Sequence, residues 1–129
     1  MTFAITAPFA AGLTLIFIVL TFAVILARGK AKVGLGDGGN PDLLQAMRRQ
    51  ANFVENVPLT LLLMALAEAG GAGATLLTVC GSALLLARLV HPFGIKVGAD
   101  AHPARIAGAS VTSLVQLVLA VTLLIHRFA

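Results

Sequence analysis

The sequence predicts an all-α membrane protein, a bundle of four transmembrane helices. Three observations carry that prediction: four long apolar segments, basic residues gathered in two of the three loops, and too little charge for a soluble domain. Of the 129 residues, 59% are hydrophobic and 11% charged, against about 25% charged in an ordinary soluble domain. The length fits one domain, residues 1–129. The net charge is +4. On a soluble chain that excess would suggest nucleic acid. Here the cations sit at the ends of apolar segments, so the expected surroundings are a lipid bilayer and no nucleic acid.

Residues 1–27 carry no charged side chain. The stretch from Pro8 to Ala27 is long enough to cross a ~30 Å hydrocarbon core, which takes about 20 residues. Pro8 suits a first helical turn, where its missing N–H costs little. "MTFAITAPFA" has no basic start, so it reads as a retained span, not a secretion signal. Arg28, Lys30 and Lys32 close the segment. The Gly-rich "GLGDGG" that follows has neither a preceding strand nor a following Lys-Ser/Thr, so it reads as a tight turn, not a phosphate loop.

"NPD" then starts a second helix. Asn40 can cap it, Pro41 fits the first helical position, and Asp42 favours the positive end of the dipole. The helix should run to about Ala67, with "EAGGAGA" as the turn beyond it. Ala69–Ala87 is uncharged and closes on Arg88 and "HPFG". Ile106–Ile125 is uncharged and ends at His126 and Arg127. The expected spans are residues 8–27, 43–67, 70–90 and 105–126. Eight of the nine cations, all but Arg127, fall on the side of the first and third loops. The positive-inside rule makes that side cytoplasmic. Loops 28–42 and 91–104 then lie inside and both termini outside. Cys80 is the single cysteine, which leaves no intrachain disulfide, and mid-helix it suits a packed thiol.

The second helix is polar in its first half. With Arg48 at zero on a helical wheel, Gln45, Arg49, Asn52, Glu55 and Asn56 fall within about 120° of one another, and Gln50 lies opposite. Counting back from Ala67 puts Arg48 near the cytoplasmic interface, with Asn52 and Glu55 about 6 and 10 Å deeper. A charge at mid-span costs roughly 2.5–3.5 kcal/mol. Glu55 should therefore face a partner helix, a neighbouring subunit or a wet cavity. Pro58 should kink the helix one turn further on. On the fourth helix Arg105, Thr112 and Gln116 share a face, and Gly108 and Ala109 permit close approach. Arg88 and His91 lie one turn apart. Arg28, Arg88 and Lys96 also suit the bland role of topology anchors.

The stretch "GDGGNPDLLQAMRRQANFVENVPLTLLLMALAE", residues 36–68, resembles the signature of the MAPEG family, the membrane-associated proteins in eicosanoid and glutathione metabolism. The pattern is Arg48, Asn52, Glu55 and Pro58, and the likeness to bacterial-type members extends over the whole chain. The resemblance implies a homotrimer, in a bacterial inner membrane, with glutathione as co-substrate bound between subunits near the cytoplasmic side. It implies glutathione-binding roles for Arg48, Asn52, Glu55, Gln50, Arg28, Arg88 and His91, and a catalytic role for Arg105 in stabilising the thiolate. The implied activity is that of a glutathione transferase or peroxidase acting on apolar electrophiles or lipid hydroperoxides. No metal is expected. Some members instead bind lipids or partner enzymes without catalysis. A third reading, drawn from the residues, is a small transporter that uses Glu55 as its coupling carboxylate. One departure stands out: the family usually has Tyr after the motif glutamate, this chain has Asn56, and it contains no Tyr.

Overall fold

The computed structural model describes residues 3–100 and 102–128, the last three of these by backbone alone. Four helices account for most of it: α1 (Thr6–Ala31), α2 (Pro41–Ala69), α3 (Ala74–Val90) and α4 (Pro103–Phe128). A short 3-10 turn, His91–Gly94, extends α3. Among the described residues there is no strand. The segments Thr6–Ala31, Ala74–Gly94 and Pro103–Ile125 are long and apolar enough to cross a membrane. α2 is long enough but falls outside that class, because its first half is polar. His126 and Arg127, as side chains, lie outside the described residues.

The helix starts follow local chemistry. Asn40 Oδ1 accepts from the Leu43 N–H at 3.0 Å, and Pro41 occupies the first position of α2. "GLGDGG" forms a turn in which Asp37 Oδ1 accepts from the Gly39 N–H, with Gly36, Gly38 and Gly39 all at positive φ. α2 continues unbroken through Pro58.

The second turn departs from expectation. Glu68 stays helical, and its carboxylate accepts from the N–H groups of Ile5 and Thr6, both at 2.8 Å. It satisfies two N–H groups that a helix start leaves without intrahelical partners and sits at the positive end of the α1 dipole. The start of α1 and the end of α2 are thereby tied together.

The helices form a ring: α1 packs on α2 and α3, and α4 packs on α3 and α2. One core cluster joins Met64, Leu77, Cys80, Val115 and Leu119. A second joins Leu13, Leu20, Phe53, Val57 and Leu84, with the Phe17 and Phe53 rings stacked 6.0 Å apart. Gly108 sets the approach of α4 to α3. A Cβ there would lie 2.7 Å from His91 Cβ and 3.0 Å from the Ala87 carbonyl oxygen. Ala109 is exposed and takes no part. Large apolar side chains such as Leu15, Val19, Phe22, Leu62 and Leu117 point outward, as expected of a bundle solvated by lipid.

The Thr6 side chain, followed by the Ile5 and Thr6 N–H groups, holds the Glu68 carboxyl below its ordinary value of 4.5, against a raising effect of desolvation. The Thr6 hydroxyl itself makes no hydrogen bond of full geometry. A lowered folded-state value means that Glu68 stabilises the fold at neutral pH and loses that contribution as pH falls from the ordinary value through the lowered one. Glu68→Ala should therefore lower the thermal midpoint in detergent at neutral pH. The gap from wild type should close on acidification, and thermal unfolding scans across pH check both.

Candidate functional site

The site is organised by Arg88, the largest fully buried side chain among the described residues, 2% exposed. It stands in the last turn of α3 and reaches two other helices. Its Nη1 donates to Asn52 Oδ1 on α2 at 3.0 Å. Its Nη2 donates to the Gly108 carbonyl on α4 at 2.9 Å and to Thr112 Oγ1. Thr112 in turn donates to the Gly108 carbonyl at 2.8 Å. The close approach that Gly108 permits puts that carbonyl within reach. A guanidinium has only donors, so Asn52 must turn its oxygen toward Arg88. Its amide N–H groups then face the other way.

Asn52 also lines a depression of about 140 Å³, together with Arg48, Ile95, Lys96, Val97 and Arg105. Arg48 and Arg105 are exposed and Asn52 is half-buried. Three cations and an amide donor line this hollow, and no acid does. The loop that forms its rim is held from α2: Arg49 donates to the Ile95 carbonyl from Nε and Nη2, at 3.3 and 3.1 Å, and Gln45 Oε1 accepts from the Val97 N–H at 3.2 Å. Gly94 lets the 3-10 turn meet the first turn of α4, since a Cβ there would run into the Arg105 backbone.

Arg48, Asn52 and Arg105 thus converge, with Arg88 directly behind. The other sequence-derived candidates lie elsewhere. Glu55 is exposed on the surface of α2, beside the exposed Val54 and near the exposed Leu59. Gln50 turns to α1 and donates to Thr21 Oγ1 at 2.9 Å. Arg28 folds onto its own loop, donating to the carbonyls of Val33 and Gly36. His91 is buried and packs against Gly108. Asn56 donates back to the Asn52 carbonyl at 2.8 Å, and its own carbonyl accepts from Gln116. Lys96 was legible only as a cation in a loop. Nothing in its spacing from Arg48 or Arg105 places it in their company.

The MAPEG family model matches residues 6–125. The chain belongs to the MAPEG family. It is 34% identical over 90 residues to the inner membrane protein YecN of Escherichia coli strain K12, an alignment spanning 70% of this chain and 69% of YecN. YecN of strain O6:H1 (CFT073) matches to the same degree. Together with the three apolar helices, this makes the chain an integral membrane protein.

Thr112→Val, nearly the same shape, would remove one acceptor from the buried Arg88 and leave it short of a partner. The expected loss of stability is about 1–3 kcal/mol. Denaturation of the detergent-solubilised protein, compared with wild type, measures it.

Proposed function

We propose that the chain is a glutathione-dependent transferase or peroxidase acting on apolar electrophiles or lipid hydroperoxides at the membrane. The observation that carries this is the cationic depression lined by Arg48, Lys96, Arg105 and Asn52. Glutathione brings two carboxylates, an ammonium and a thiol. Guanidiniums suit the carboxylates through bidentate, charge-assisted bonds, and the Asn52 N–H groups add neutral donors.

At about 140 Å³ the depression is smaller than the ~300–1,000 Å³ of ordinary ligand sites. One chain supplies only part of the site. A second copy, in the homotrimer, would complete it and place Glu55 of one α2 where an ammonium needs a carboxylate. That arrangement also explains why a carboxylate stands on the outer surface of a membrane helix. The basic loops would be cytoplasmic, both termini outside, and α2 the fourth span.

In this scheme Arg105 holds the sulfur. A free thiol with pKa about 8.5 is mostly protonated at neutral pH, and each unit of lowering takes about 1.4 kcal/mol of differential stabilisation. A guanidinium beside the thiolate in a partly dry site supplies it. The thiolate then forms a bond to an electrophilic carbon, and the leaving group departs with its electron pair. With a hydroperoxide, it takes the distal oxygen and releases an alcohol after protonation; a second glutathione reduces the resulting sulfenic acid, giving the disulfide and water. The apolar reactant would arrive from the lipid side.

The absence of tyrosine favours one other reading, a non-catalytic MAPEG-like protein that binds lipids or a partner. Stopped-flow detection of thiolate formation on the purified protein separates the two. Arg105→Ala should leave glutathione affinity nearly unchanged and abolish thiolate formation. Arg48→Ala should weaken binding by about tenfold, ~1.4 kcal/mol. Equal losses in both variants would contradict this division of roles. Wild type that neither binds nor ionises glutathione, and retains a co-purifying lipid, would leave the non-catalytic reading.

A further inference from the structure

A second cavity, of about 320 Å³, opens between α1, α2 and the end of α3. Its lining is apolar except for two guanidiniums, Arg49 and Arg88, and no acidic side chain borders it. Val19 and Phe93, 67% and 72% exposed, stand at its open side, while Leu20 is buried within. Arg49 commits Nε and Nη2 to the Ile95 carbonyl, and its Nη1 has no protein partner among the described residues. Arg88 Nε is the one buried side-chain nitrogen among them without a hydrogen bond. A buried donor left without an acceptor is costly.

The chemistry of these walls defines the occupant. It is apolar over most of its length and anionic at one end. The cavity has room for one chain and lies at the low end of the size range of small-molecule sites, about 300–1,000 Å³. A planar carboxylate matches the fork of a guanidinium. Arg49 neighbours Arg48 near the expected cytoplasmic interface, so the head would sit at headgroup level with the tail directed into the bilayer. We propose that this cavity binds one unbranched fatty-acid anion, its carboxylate against Arg49 with Arg88 behind and its chain along α1 past Ile16 and Leu20. Neither Arg49 nor Phe93 lines the cationic depression, so this site stands or falls separately from glutathione binding.

The chain contains no Trp, so Phe93→Trp installs a single fluorescent reporter at the rim. The protein is reconstituted in phosphatidylcholine nanodiscs and titrated with 2-bromododecanoate, whose bromine lies beside the carboxylate, near residue 93 in the proposed pose, and quenches indole. The expected result is saturable quenching at concentrations at least tenfold below those at which 2-bromododecanol acts. Arg49→Gln should weaken it by tenfold or more and Arg49→Lys by less. Equal, unsaturable quenching by acid and alcohol would mean bulk lipid contact only and overturn the proposal. So would absence of quenching by either probe, as when a second copy of the chain covers the rim. If Phe93→Trp does not fold, wild type carries the test. It should retain radiolabelled dodecanoate that unlabelled dodecanoate displaces and dodecanol does not, and failure to retain it refutes the site.

Discussion

A single buried guanidinium ties three helices of this bundle together. Arg88 leaves α3, meets the Asn52 side chain on α2, and meets the Gly108 carbonyl and Thr112 hydroxyl on α4. A buried cation inside an apolar bundle is expensive unless its donors are met, so the sequence must supply acceptors at three separate places. Asn52 is one acceptor, the carbonyl that Gly108 exposes by lacking a side chain is another, and Thr112, one turn later, is the third. The requirement that stabilises the interior also fixes Asn52, which lines the depression on the surface.

α2 carries the opposite constraint. Its second half is apolar and buries Thr60, Met64 and Ala67 in the bundle. Its first half holds the polar stripe, and the structure divides that stripe by direction. Gln45 and Arg49 fasten the loop after α3, Asn52 meets Arg88, and Asn56 meets Gln116. Arg48 and Glu55 point outward. The inward members add hydrogen bonds between helices beside the apolar cluster of Phe53 and Val57. The outward members are what remains for a ligand or a second copy.

Much of the fold was legible because it rests on local signals. Asn40-Pro41-Asp42 marks a capped helix start, and "GLGDGG" marks a turn by its glycines; both are decided within a few residues. The convergence of Arg48, Asn52 and Arg105 was legible only in part, since the wheel gives the face of each helix but not which helix it meets. Glu68 shows the limit most clearly. It reads as the first residue of a Gly-rich turn, and its role depends on Ile5 and Thr6, more than 60 positions away. Lys96 and the Arg49 bond to Ile95 were hidden for the same reason. Arg88 read equally well as an anchor, because burial is a property of the assembled helices and not of the residues beside it.

The central claim is that the Arg88 framework builds a glutathione site. Isothermal titration of glutathione into detergent-solubilised wild type and Thr112→Val tests it most directly, because Thr112 does not line the depression and reaches it only through Arg88. Wild type should bind, and the variant should bind several-fold more weakly while remaining folded. Absence of binding by wild type, or equal affinity in a folded variant, would contradict the claim.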